Sequence, residues 1–231
     1  MNNFDLSILL SGQYHEWLIS GVVFSVQLAI ITLLLAVPLA ILIAVLRITP
    51  LAPLRGFAIL YVEAIRNVPL LAHMLFWYFA APEFLPESLR TWLYDHNFEA
   101  ASAVIALVLY TAAYMSEDIR SGLRAIPKEQ MEAGRTLGFS FLSTMRLVIL
   151  PQSLRVTVPP LINQTLNLWK NTSIAMVIGV AELMYQAQQV ESATFKGFES
   201  FAFATAAYVT ISLIITGLSH LYQQRYPVRS V

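Results

Sequence analysis

The sequence predicts an all-α membrane protein of five transmembrane helices, with the N-terminus outside, the C-terminus in the cytoplasm and one further cytoplasmic helix between spans 3 and 4. Three observations predict it. Of 231 residues, 57% are hydrophobic and only 12% charged, against roughly 25% charged in a soluble domain. From Trp17 to Leu46 there is no Asp, Glu, Lys, Arg or His, a stretch of 30 residues where roughly 20 cross a bilayer's hydrocarbon core. The basic residues also fall almost entirely in alternate loops.

The same composition excludes several functions. Fourteen basic residues balance fourteen acidic ones, whereas nucleic-acid binding needs a net basic surface, so no nucleic acid is implied. The absence of cysteine removes disulfides, thiolate zinc sites and a Cys nucleophile. His15, His73, His96 and His220 are scattered, with no pair at metal-ligand spacing, so no metal is expected. A single transmembrane domain over residues 1–231 is the simplest organisation, since no internal repeat, low-complexity tract or flexible linker occurs.

Span 1 covers about 17–46; it is too long for a signal-peptide h-region, and residues 1–16 lack the Lys or Arg of an n-region. Residues 50–66 begin Pro50-Leu51-Ala52-Pro53 and then mix apolar and charged positions, which suits a short helix on the cytoplasmic face. Glu63 and Arg66, three apart, can pair there. Span 2 covers about 67–82 and span 3 about 98–117; Trp77, Tyr78, Trp92 and Tyr94 suit either an outer aromatic belt or plain packing. Spans 4 and 5 follow at about 156–181 and 200–222. Arg47, Arg55 and Arg66, then Arg120 to Arg155, then Arg225 and Arg229 make 11 basic residues on one side against Arg90 and Lys196 on the other. The basic side is cytoplasmic.

The loop 118–155 carries a charge of plus three. Pro127 suits a helix start, Glu129 and Glu132 complement the dipole, and Gly138 supplies a left-handed stop, giving a helix over 127–137. Phe139, Phe141, Leu142, Met145, Val148 and Ile149 form a second amphipathic segment that Pro151 breaks or kinks. A helix presented in this way is either a docking element for a partner protein or a passive loop. Glu132 either pairs with a partner's basic residue or only complements the helix dipole. Span 4 carries Asn163, Gln164, Thr165, Asn167, Lys170, Asn171, Thr172 and Ser173, too much polarity for a face against lipid. It lines a wet pathway or a subunit interface. Lys170 lies about 21 Å along a helix counted from Val156, or about 15 Å from a break at Pro159-Pro160. It either faces the pathway, where it suits a carboxylate, or snorkels to the interface.

Glu132-Ala133-Gly134, three residues, Gly138, nine residues, then Val148-Ile149-Leu150-Pro151 resembles the EAA motif of permease subunits of bacterial ATP-binding-cassette importers. Gly134 stands where the motif usually has a second Ala, and Val148 where it has Ile. Tyr61, Glu63, Arg66, Pro69, Leu70 and Leu71 are similar to the segment before span 2 of polar amino-acid permeases, and Lys170, Thr172, Ser173, Glu182 and Leu183 to their span 4 signature. The resemblance implies a type I importer permease of the bacterial inner membrane. Pro127, Glu132, Ala133, Gly134, Gly138, Leu150 and Pro151 would couple to the ATPase. Asn163, Gln164, Asn167, Lys170, Thr172, Ser173 and Glu182 would belong to the substrate pathway, with Glu63, Arg66 and Pro69 as a structural motif. The implied partners are a second permease subunit (this chain or a paralogue), two ATPase subunits that bind ATP and Mg, a periplasmic amino-acid-binding protein and the membrane lipid.

The chain itself shows no cofactor site and no catalytic residue. It lacks G-x-x-x-x-G-K-[ST], G-x-S-x-G and H-E-x-x-H, so ATP is bound elsewhere and the chain is not an enzyme. The subgroup it resembles carries glutamate, aspartate or glutamine, with basic amino acids as the alternative. A secondary transporter would show inverted repeats and intramembrane acids. A scaffold needs neither a polar span nor a docking helix. A need for ATP and a co-purified ATPase separates all three.

Overall fold

The computed structural model describes residues 7–95 and 97–227; His96 and Arg229, named above, lie outside them. Every regular element among the described residues is helical. A single turn α1, Ser7–Leu10, leads through Gly12 into α2, Gln13–Ile48, which runs without a break past Pro38. Helix α3, Ala52–Arg66, starts with Pro53 in its first turn, where a missing N–H costs nothing. It stops at Asn67, whose side-chain amide donates to Glu63 O at 2.7 Å. Pro69 then opens α4, Leu70–Leu75, because a proline cannot continue the preceding helix. The chain runs on through a π turn, Phe76–Ala80, and a 3₁₀ turn, Ala81–Phe84.

Helix α5, Glu87–Tyr94, precedes the long α6, Phe98–Arg124. Next come α7, Lys128–Thr136, and α8, Phe141–Thr144. A π turn, Met145–Ile149, passes into α9, Leu150–Asn171, and a 3₁₀ turn, Thr172–Ile178, ends at Gly179 with φ +85°. Helices α10, Leu183–Thr194, and α11, Gly197–Arg225, complete the chain.

Two expectations about proline are corrected here. Pro151 does not break the segment before it: the wide turn at Met145–Ile149, closed by Leu150 N–H on Met145 O, displaces the carbonyls that its ring would meet. Nor do Pro159 and Pro160 interrupt α9. Lys170 therefore stands about 30 Å along a continuous helix counted from Leu150, farther than either starting point above allowed.

By length and apolar composition, three of the described helices can cross a membrane: Gln13–Ile48, Phe98–Arg124 and Gly197–Arg225. The bent pair Ala52–Arg66 and Leu70–Phe84 makes a fourth if counted as one span. Helix α9 is not among them, because the polar residues that single it out also lower its hydropathy.

The described residues gather into two compact units. Unit 1 draws on residues up to Leu35, on Val68–Tyr110 and on Asn167–Ile214. Its core packs Leu28, Leu70, Met74, Leu107, Leu168 and Ile178, with a second cluster around Leu18, Leu183 and Val190. Unit 2 draws on Ala36–Asn67, on Thr111–Leu166 and on residues from Ile215 onward. There Ile43 of α2 packs on Ala58 and Val62 of α3.

Candidate functional site

In unit 2, the EAA-like segment folds as a hairpin of α7 on the turn that follows α8. Pro127 stands one residue ahead of the helix it was expected to begin. The helix is closed as expected: Gly138 has φ +86°, its N–H donates to Arg135 O at 3.0 Å, and Phe139 N–H donates to Gly134 O at 3.1 Å. These paired bonds satisfy the orphan carbonyls of a helix C-terminus and require a left-handed residue between them. Gly134 is buried, and a Cβ there would lie 2.4 Å from Thr144 Cγ2. The position where the motif usually carries Ala holds Gly because Thr144 fills the methyl's place. Gln130 and Gln152 join the two arms through a 3.4 Å amide contact.

The opposite face of α7 is open: Glu132 and Ala133 are exposed, and Glu132 forms no ion pair among the described residues. Leu150 and Pro151 are exposed at the start of α9. The same unit contains a charge cluster that the sequence reading missed. Glu117 accepts from Arg47 at 2.6 Å and from Arg120 Nε at 3.0 and 3.1 Å, with a further Arg120 Nη2 bond, so one carboxylate holds the end of α2 to α6. Glu117 and Arg120 stand three apart, a spacing visible in the sequence. The pairing of Glu63 with Arg66, by contrast, is not formed: the Arg66 guanidinium lies over the Tyr114 ring at 4.9 Å, where it gains a cation–π contact. Glu63 Oε2 instead accepts from Asn67 at 3.3 Å. Pro69 sits at the elbow before α4.

Unit 1 contains a buried polar knot. Glu182 caps α10, accepting from Tyr185 N–H at 2.9 Å, and its other oxygen accepts from Tyr208 at 3.0 Å and Ser25 at 3.3 Å. Ser25 Oγ in turn accepts from Leu183 N–H at 3.0 Å. Every member is satisfied, as a buried polar group requires. One helical turn before Ser25, a Cβ on Gly21 would lie 2.9 Å from Leu183 Cα. Gly21 and Ser25, four apart in an apolar helix, carry the small-residue signal of close membrane-helix packing. The spacing is visible in the sequence, but the partner it packs on, Leu183, is not.

Of the polar residues assigned to a pathway, Thr172 and Glu182 are fully buried, Thr172 returning its hydroxyl to Trp169 O at 2.8 Å. Asn163, Asn167 and Lys170 are exposed, while Gln164 and Ser173 are half-buried. Along α9 the three exposed residues are spaced by four and three, so they share one face; Leu168 and Trp169 occupy the buried one. The rotation is set by Trp169, whose Nε1 donates to Tyr208 O at 3.3 Å. No group of three metal-ligating side chains is assembled among the described residues.

Residues 28–227 match the family described as "Binding-protein-dependent transport system inner membrane component". The chain belongs to this family. The permease is 37% identical over 218 residues, 94% of its length and 93% of the relative's, to the "Probable glutamine ABC transporter permease protein GlnM" of Bacillus subtilis. It is 33% identical to the "Glutamate/aspartate import permease protein GltJ" of Escherichia coli, over 92% of this chain and 88% of that one. Among solved structures it matches the chain described as "Crystal structure of an amino acid ABC transporter with histidines" with a TM-score of 0.85 and 30% identity, covering 97% of this chain and 100% of that chain. The permease is thus an inner-membrane subunit of an ABC transporter and not itself an enzyme, and its family implies ATPase and binding-protein partners.

Proposed function

We propose that this permease forms half of the translocation pathway of an importer for glutamine, glutamate or aspartate, delivered by a periplasmic binding protein. The names of its relatives support that substrate class. In this reading the chain works as one transmembrane domain of five spans with the N-terminus outside, α9 being the span too polar for lipid. A second permease subunit completes the pathway, and two ATPase subunits seat on α7. The observation that carries the proposal is the exposed face of Asn163, Asn167 and Lys170 on a helix otherwise anchored by buried Trp169. An intramembrane cation and two amides facing outward from one helix match an amino acid's carboxylate and polar side chain, and an unneeded polar face in a membrane is costly.

The hairpin supplies the mechanical link. ATP binding closes the ATPase pair, the exposed face of α7 follows the surface it sits on, and the packing of Gly134 against Thr144, too close to admit a methyl group, transmits the displacement into the base of α9. The test is uptake by vesicles holding the permease, its ATPase and its binding protein. Uptake should require ATP, and Lys170→Ala should lower it while the ATPase still co-purifies. Wild-type uptake by that variant would leave Lys170 as a snorkelling residue, and uptake without ATP would sink the importer reading.

A further inference from the structure

Tyr208, half-buried on α11, is bonded at both ends. Its backbone oxygen accepts from Trp169 Nε1 of α9 at 3.3 Å, and its ring centre lies 5.0 Å from that of the indole. Its hydroxyl donates to Glu182 Oε2 at 3.0 Å, the oxygen that also accepts from Ser25 of α2. One residue therefore joins the helix carrying Asn167 and Lys170 to the buried knot at the start of α10. Helix α11 has little else to fix it: 6% of the residues in its most apolar stretch are buried, against 33% in α2 and 50% in α6. Lipid is as apolar as leucine, so close packing and interhelical hydrogen bonds, rather than the hydrophobic effect, place a helix in a bilayer. The backbone of α11 can hold Trp169 only as firmly as α11 is itself held.

We infer that Tyr208 is a positioning residue for the transport step: by anchoring α11 on Glu182 it sets the rotation of α9 that turns Asn167 and Lys170 outward and Leu168 inward. Tyr208 itself meets no solute. What the outward face meets depends on the importer reading proposed above; the rotation is measurable without uptake.

The chain contains no cysteine, so a single introduced thiol reports the water access of its own position. The experiment uses the assembled transporter in detergent and a charged methanethiosulfonate reagent, with labelling read on peptides of this chain. Asn167→Cys should react faster than Leu168→Cys, because Asn167 is exposed and Leu168 is 1% exposed. In a Tyr208→Phe background that rate ratio should fall about fivefold, the weight of one hydrogen bond, and uptake per assembled transporter should fall with it. Trp169→Phe, which removes the Nε1 donor, should shift the ratio in the same direction. Glu117→Gln, which breaks different bonds, should lower the melting temperature and leave the ratio unchanged. If Leu168→Cys fails to assemble, the rate at Asn167→Cys alone should fall in Tyr208→Phe. An unchanged ratio in Tyr208→Phe, an equal shift in Glu117→Gln, or equal rates at the two positions in the parent chain overturns the inference. A shifted ratio with full uptake upholds Tyr208 as the anchor of α9 and instead removes the solute from its outward face.

Discussion

Replacing Gly134 by Ala adds one methyl group where Thr144 leaves no room for it. The new Cβ would lie 2.4 Å from Thr144 Cγ2, 2.8 Å from Oγ1 and 3.1 Å from Cβ. Thr144 cannot swing aside freely, being fully buried, β-branched and bonded from Oγ1 to Ser140 O at 3.0 Å. Overpacking of this kind costs about 1–3 kcal/mol, and the better helix propensity of Ala offsets about 1 kcal/mol. The net loss is about 1 kcal/mol, roughly fivefold in the equilibrium that forms the hairpin. Thermal unfolding of the complex and the amount of co-purified ATPase should both fall, with uptake following. The contact also predicts a graded rescue. Thr144→Ser removes the nearest atom and leaves the hydroxyl; Thr144→Ala removes both, so the second should restore more function to Gly134→Ala than the first. A double-mutant cycle with no coupling between positions 134 and 144 would refute the packing argument.

Gly138→Val should cost about 1–2 kcal/mol by backbone strain alone, since no atom lies within 4 Å of the Cβ position at φ +86°; Gly138→Asn should retain more ATPase binding than Val because Asn tolerates that region. Gly21→Ala should lower the melting temperature, because its Cβ would meet the backbone of Leu183 at 2.9 Å and overpacking against backbone costs about 1–3 kcal/mol. Glu117→Gln strands two largely buried arginines, Arg47 at 13% and Arg120 at 17% exposure. Between the values for exposed and buried pairs, the loss should be about 1–3 kcal/mol, and larger than for Arg47→Met, which leaves Glu117 still paired with Arg120. Equal melting temperatures for those two variants would contradict the shared-carboxylate arrangement.

The helical fold was readable because a bilayer imposes a coarse constraint: a long charge-free run such as 17–46 has few stable forms other than a helix. Local stops were readable for the same kind of reason. Gly138 acts through its own backbone freedom, which no neighbour changes. Prolines inside helices were less readable. Pro151 and the Pro159-Pro160 pair are breakers by local rules, yet a π turn stands ahead of one and α9 runs on through the others. Both outcomes depend on what surrounds the helix, and that information is not in the dipeptide.

The candidate site separates along the same line. Polarity along α9 and its sequel announced that something other than lipid faces it, but not which residues face outward. Thr172, Glu182, Asn167 and Lys170 look alike in a sequence, being polar positions in an apolar setting. What divides them is rotation about the helix axis. Trp169 sets it through its bond to Tyr208 and its burial, which turns Lys170, the next residue, outward and Thr172 inward. Glu182 is drawn in because the local N–H of Tyr185 and two hydroxyls from other helices meet it, that of Tyr208 and that of Ser25, which lies 157 residues away. A buried carboxylate is tolerable only where such donors converge. A polar residue's role in a membrane helix therefore depends on whether the fold brings it partners. Where it does, as at Glu182, the residue holds helices together; where it does not, as at Asn163, Asn167 and Lys170, the side chains stay exposed, and that is the face we propose the solute meets.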